Sequence, residues 1–230
     1  MAGSAASCAL SGGAAFSACG HYRWWLQRLW APERPRVLVV GLNPSRADAQ
    51  RDDPTLRRLV GFARRWGFGA VEVLNLFARV SASPGLLRRC ADPVGQENDA
   101  WLADRLGPAR EPPAVVWLAW GNQGVWRQRD QQVLALVAAA AVPMAAIALT
   151  RAGHPRHPLY APGDAQLRLL DWQNGGLLSH PVGSEGPLAY PTPWPAPHGV
   201  MPCISTSAAV KPKPCTSQLS RPFSSGTAVC

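Results

Sequence analysis

Lysine is almost missing from this chain: Lys211 and Lys213 stand alone against 21 arginines. The net charge of +9 therefore rests on guanidinium groups, which reflects either a coding bias, since Ala and Pro are abundant too, or an anionic partner such as nucleic acid or a phosphorylated ligand. Charge is otherwise sparse, at 16% of residues, while hydrophobic residues make up 47%. That balance excludes disorder over the full length. The six cysteines (Cys8, Cys19, Cys90, Cys203, Cys215 and Cys230) include no C-x-x-C pair, which argues against a zinc ribbon or an iron–sulfur site. With only Cys90 in the middle, the chain is a poor disulfide scaffold too, and a reducing compartment fits best. The first 20 residues have no basic start, and the longest apolar run, 133–149, is 17 residues long and broken by Pro143. Neither a signal core nor a membrane span is expected, so the protein is expected in the cytoplasm with no membrane partner.

Cofactor signatures are missing as well. There is no G-x-G-x-x-G, no Walker loop and no G-x-S-x-G elbow. No His, Cys and carboxylate group has metal-ligand spacing, so neither a cofactor nor a metal is expected. His154 and His157 are three apart, but prolines interleave them and they cannot share a helix face.

What is present falls into three parts. From 173 to 230 there are 10 Pro, 6 Gly and 8 Ser with no sustained periodicity, the composition of a disordered tail. Residues 1–20 read the same way, as a disordered extension. The folded unit is expected over 21–172, a comfortable size for one domain. Within it, Tyr22, Trp25, Leu26, Leu29 and Trp30 fall at helical spacing and predict a helix. Four short apolar runs, at 36–40, 70–74, 114–119 and 144–149, predict buried strands. Between the first two, residues 55–66 form an amphipathic helix with Asp53 as N-cap and Pro54 at its first position. Ser83-Pro84 starts a short helix, 96–106 offers another, and 125–141 a long one ended by Pro143. Strands apolar on both faces and alternating with helices mean an α/β fold, a three-layer αβα sandwich around a four-stranded, mainly parallel sheet.

Ligands of such a sheet bind beyond the carboxyl ends of its strands. The residues there are polar at every predicted strand. Gly41-Leu42-Asn43-Pro44-Ser45 comes after the first and Asn75 ends the second. Trp120-Gly121-Asn122 comes after the third, and TRAGHPRHPLY, with His154, His157 and Leu159, after the fourth. Each strand thus delivers an amide or an imidazole to one edge. With no nucleophile or metal, such a set suits recognition by hydrogen bonding: amides read the edge of a heterocycle, and an imidazole donates to developing negative charge. Arg57, Arg58, Arg64 and Arg65 repeat at i and i+7 and collect on one helix side, while Arg51, Arg79, Arg151 and Arg156 sit in strand-end loops. These arginines are either a solvated helix face and its neighbouring loops or the contacts to phosphates that an Arg-rich rim on the ligand edge would supply.

Together GLNPSRADAQRDDPTLRRLVGFARRWGFG, VLNLFA, DPVGQENDAWL, AWGNQG and GHPRHPLY resemble the family called domain of unknown function 1643, over about residues 19–172. The order of strand-end motifs is also similar, more distantly, to the uracil-DNA glycosylase superfamily, with GLNP, EVLN, LAWG and GHPRHPL as the corresponding segments. That likeness implies a uracil-DNA-glycosylase-like fold. It implies that Asn43 orients the attacking water and that Asn75 reads the base. His154 or His157 would stabilise the departing base, and Leu159 would enter the duplex. Asn43 stands where the most active branch has a carboxylate, and Ser45 where an aromatic follows the loop. The leading expectation is a nucleic-acid- or nucleotide-directed enzyme cleaving the N-glycosidic bond of a modified base. The alternatives are a non-catalytic module binding such a base, and a hydrolase or transferase acting on a small ligand.

Overall fold

The computed structural model describes residues 10–179. Its centre is an eight-stranded sheet in the order β1-β2-β4-β3-β5-β6-β7-β8. The four inner strands are β3 (Arg36–Gly41), β4 (Ala70–Asn75), β5 (Val115–Leu118) and β6 (Met144–Ala146). They run parallel to one another and correspond to the four apolar runs, although β6 stops at Ala146. The expected four-stranded sheet is therefore only the middle of the real one. Two antiparallel strands flank it on each side: β1 (Ser11–Phe16) and β2 (Arg23–Leu29), then β7 (Arg168–Gln173) and β8 (Gly176–Ser179).

These flanks correct several expectations. Ser11–Phe16 is not part of a disordered extension but an edge strand, because β2 offers it a ladder of backbone partners. The segment expected as a helix around Tyr22 to Trp30 is strand β2. Its Trp24, Leu26 and Arg28 are buried and Trp25, Gln27 and Leu29 half-buried, a period of two blurred because both faces are covered. The sheet also runs past Trp172, through a tight turn into β8. The expected tail over 180–230 lies outside the described residues, as do the first nine.

Helices cover both faces. Helix α1 (Pro54–Arg65) opens as expected, with the Asp53 carboxylate accepting from Leu56 N at 2.7 Å. It buries Leu56, Leu59, Phe62 and Ala63 against Val37, Val39, Val71 and Val73. On the other face lie α2 (Pro84–Leu87), α3 (Asn98–Leu106) and α4 (Arg129–Ala139), with Leu87, Leu102, Val133 and Val137 on Leu38, Val40, Leu74 and Val116. The long helix expected from 125 begins only at Arg129, because Arg127 and Gln128 turn the chain at φ 58° and 56°. No helix among the described residues is long and apolar enough to cross a membrane.

The strand order positions the site. From β3 the chain crosses on the α1 face to β4 on one side of it, then on the opposite face to β5 on the other. Right-handed crossovers that change direction must change face. The loops leaving β3 and β5 consequently part to opposite faces and leave a crevice at their carboxyl ends.

Candidate functional site

That crevice is a cleft of about 1030 Å³. Apolar side chains from the sheet and α1 (Leu26, Val39, Val73, Leu56 and Leu59) form part of its lining, which suits a flat apolar ring. Around them stand Gly41 at the end of β3 with Asn43 and Ser45 after it, Asn75 at the end of β4, and Trp120, Gly121 and Asn122 after β5. His157 and Leu159 follow β6, along with Arg151 and Arg156. The strand-end residues expected to converge do so, with two exceptions. Of the two imidazoles, His157 lines the cleft and His154 does not. Pro44 is buried beside it and offers only its carbonyl.

Asn75 occupies the floor. It is 3% exposed, and its side-chain Nδ2 has no hydrogen-bond partner among the described residues. Its own main chain is clamped. Asn98 Nδ2 donates to the carbonyls of Asn75 and Leu76 at 3.1 Å each, and Arg129 Nε to that of Leu76 at 2.7 Å. The amide is thus held still with its donor unspent, although a buried donor left unpaired costs about 1–3 kcal/mol. Gly41 lies opposite it across the β3–β4 ladder, where a Cβ would come within 2.9 Å of Asn75 Oδ1. A side chain there would have to displace the Asn75 amide.

Asn43 is oriented differently. Its Nδ2 donates to the carbonyls of Pro44 and Ser81, both at 2.9 Å, which leaves Oδ1 as its remaining polar group. Thr150 Oγ1 donates to Asn122 Oδ1 at 2.6 Å, and Gly121 N to Pro155 O at 2.8 Å. These bonds tie the loops after β5 and β6 into one wall. His157 Nδ1 accepts from Leu159 N at 3.3 Å, so the neutral ring carries its proton on Nε2. Burial lowers the His157 pKa below the ordinary 6.5, partly offset by the Asp53 carboxylate. The imidazole is accordingly neutral at physiological pH.

The helix arginines are placed elsewhere. Helix α1 lines the cleft with Pro54, Thr55, Leu56 and Leu59, so Arg64 and Arg65 in its last turn sit roughly 8–9 Å beyond the last of these along its axis. Arg64 lies over the Trp30 ring at 4.9 Å, and Arg65 and Arg58 over Phe62 at 4.8 and 4.7 Å. Arg58 also donates to the Ala161 carbonyl, and Arg57 to that of Asp52. Arg79 covers Tyr22 at 5.5 Å, and Arg51 is exposed in its loop. None of these six lines the cleft. Spacing along a helix reports which side a residue takes, not how far along the axis the ligand lies. Three lining residues carry chemistry that the strand-end pattern did not single out: Arg23 on β2, Asp53 beyond its capping role, and Tyr160, 76% exposed with its ring 5.8 Å from that of His157. Tyr160 closes the GHPRHPLY segment, so its signal was present. Arg23 was hidden by the helical reading of β2. No group of three or more His, Cys, Asp or Glu side chains stands together among the described residues.

A family model described as a protein of unknown function, DUF1643, matches residues 23–159, more than half of the chain. The chain belongs to the DUF1643 family. The match begins at Arg23 and ends at Leu159, both of which line the cleft, so the family segment of this DUF1643 protein spans the strand-end residues that build it. No curated protein and no solved structure matches the chain.

Proposed function

We propose that the cleft recognises a nucleobase, in a nucleotide or in nucleic acid, and hydrolyses the N-glycosidic bond that holds it. The observation that carries this reading is the buried, unpartnered Nδ2 of Asn75 on the floor of a cleft with apolar walls. An amide presents a donor and an acceptor side by side, the complement of a heterocycle's edge. Apolar walls take the ring faces. The likeness of the strand-end motifs to the uracil-DNA glycosylase superfamily assigns the same role to Asn75.

The chemistry comes from the groups around it. Asn43 Oδ1 accepts a hydrogen bond from a water and orients it toward C1′ of the sugar. As the water oxygen bonds to C1′, the C1′–N bond breaks and its electron pair leaves with the base. The water's proton passes to solvent or to the base. His157 Nε2–H donates to the negative charge growing on the base, as a neutral imidazole can. Both groups act mainly in the transition state and contribute to turnover more than to binding.

The test is incubation of the full chain with single-stranded and duplex DNA, and with nucleosides, carrying a panel of damaged and hypermodified bases. Binding and free-base release are scored separately. The expected result is release of one base class, lost in Asn43→Ala and His157→Ala with binding retained. Binding without release would leave a recognition module and overturn the hydrolysis. No binding of any base would overturn the whole reading.

A further inference from the structure

The molecule buries several arginines, and most have an obvious counter-charge. Arg28 meets Asp52 at 2.7 Å, Arg105 shares Glu72 with the half-buried Arg36, and Arg129 pairs with Asp99. Arg23 does not. It is 4% exposed, no carboxylate among the described residues lies within ion-pair distance, and its one side-chain hydrogen bond runs from Nη1 to the Ala47 carbonyl at 2.9 Å. Its Nε is buried and unpartnered. Burial lowers its pKa to about 10, partly offset by the Asp53 carboxylate, so it remains charged at neutral pH. A buried cation without a direct ion pair is expensive, and this one lines the cleft.

Its direction is built into the strand. The β1–β2 register slips between Ala15 and Phe16, so that Ala15 faces Trp25 while Phe16 faces Arg23. Trp24 is the extra residue of a bulge, and bulges re-aim side chains. Simple alternation would put Arg23 on the Trp25 face. The bulge instead puts it beside Leu26, on the α1 side, where both line the cleft. The other charges lining the cleft are Arg151, Arg156 and a single carboxylate, Asp53, and that carboxylate is committed to capping α1. The lining is net positive.

We propose that Arg23 is a phosphate-binding residue of the cleft, so that the ligand recognised by Asn75 carries a phosphate held by the Arg23 guanidinium. This rests on the nucleobase reading above for the identity of the ligand, but not for the anion site itself. Guanidinium groups present paired N–H donors that match phosphate oxygens, and Arg23 has Nε and Nη2 uncommitted among the described residues.

Calorimetric titration of the full chain tests this with adenosine, guanosine, cytidine and uridine, their 5′-monophosphates, the matching dinucleoside monophosphates, and inorganic phosphate alone. At least one 5′-monophosphate or dinucleotide is expected to bind roughly 10- to 150-fold tighter than its nucleoside, the range for hydrogen bonds to a charged group. Arg23→Gln should collapse that gap and leave nucleoside affinity unchanged. A gain confined to the monophosphates assigns the site to a free nucleotide, and an equal gain with the dinucleotides assigns it to a nucleic-acid backbone. Nucleoside binding with no gain from phosphate, or a gap that survives Arg23→Gln, overturns the phosphate role and leaves the base reading standing. Inorganic phosphate binding that Arg23→Gln abolishes, with no nucleoside or nucleotide bound, overturns the base reading and keeps the anion site. Binding of none of the probes overturns both. Should Arg23→Gln fail to fold, a crystal structure of the wild type with the tightest monophosphate decides: phosphate oxygens within hydrogen-bond distance of Arg23 support the role, and a phosphate elsewhere overturns it.

Discussion

Strand β2 carries two arginines that are equally buried and opposite in their surroundings. Arg28, 2% exposed, is saturated. It donates to Asp52 Oδ1 from Nε and Nη2 at 2.9 and 2.7 Å, and to the carbonyls of Gln27, Asp48 and Arg51. Arg23, five residues earlier and 4% exposed, has one carbonyl partner. The first fastens the loop after β3 to the sheet. The second makes a single bond to that loop, at the Ala47 carbonyl, and leaves its Nε unpartnered. The same contrast separates Glu72, which accepts from Arg36, Arg105 and Gln27, from Asn75 at the other end of β4, whose amide donor meets nothing. Among the buried side-chain polar atoms without a partner in the described residues, Arg23 Nε and Asn75 Nδ2 both belong to residues that line the cleft.

The comparison breaks most visibly at Arg28. Asp52→Ala strands a buried guanidinium, and removing one partner of a buried pair costs about 3–5 kcal/mol. Asp52 keeps some solvent contact, so the low end applies. A fall in thermal midpoint of about 6–12 °C is expected, at about 2–4 °C per kcal/mol for a chain of this size. A midpoint within about 2 °C of wild type, an error band of about 0.5–1 kcal/mol, would show that Arg28 is no better satisfied than Arg23.

Asn75→Leu keeps the side chain's shape while removing its amide. Affinity for the ligand identified by the base panel should fall about 5- to 150-fold, the effect of losing a hydrogen bond to a buried group worth about 1–3 kcal/mol. Stability by chemical denaturation should stay within about 1 kcal/mol of wild type, because no hydrogen bond within the protein is lost. A larger loss of stability would mean that the amide is structural.

A smaller effect is expected at Arg23. Arg23→Gln exchanges one carbonyl bond for relief from a buried unpaired charge, two terms of opposite sign. The unfolding free energy in the absence of ligand should change by less than about 1 kcal/mol, as is common where function rather than stability maintains a residue. A drop matching that of Asp52→Ala would erase the difference between the two arginines.

The smallest effect is the pH dependence of stability contributed by His157. Its folded pKa is depressed below the ordinary 6.5, chiefly by burial. Above that value the ring is neutral in both states. As pH falls through it, the unfolded chain takes up a proton first, and stability declines toward the lower folded pKa. His157→Gln should flatten this acid limb in denaturation curves between about pH 7 and pH 5. An unchanged limb would assign it to other groups.

Much of the site was legible because strand ends are written in short runs. RVLVVG, AVEVLN and VVWL are apolar on both faces, and a parallel strand ends where an apolar run of that length gives way to polar residues. Asn43, Asn75, Asn122 and one of His154 and His157 could therefore be brought to one edge without coordinates. The Asp53–Pro54 start of α1 was equally readable, since capping is a local interaction. The Arg57, Arg58, Arg64 and Arg65 cluster misled, because a pattern of seven says nothing about where along a helix the ligand lies.

By itself, then, the sequence determined the parallel core, the amphipathic helix behind it and the polar edge in front, all written in the spacing of apolar residues and in caps only a few residues long. Tertiary structure alone decided what the flanks do. Whether YRWWLQRLW becomes a helix or a strand depends on β4 and β1 being present to pair with it, since both of its faces are covered and its period is blurred. Only pairing with β1 creates the bulge that turns Arg23 to the cleft. Only the fold leaves that guanidinium without the carboxylate that Arg28 finds in Asp52. Register and counter-charge are properties of two segments at once, and no reading of one segment contains them.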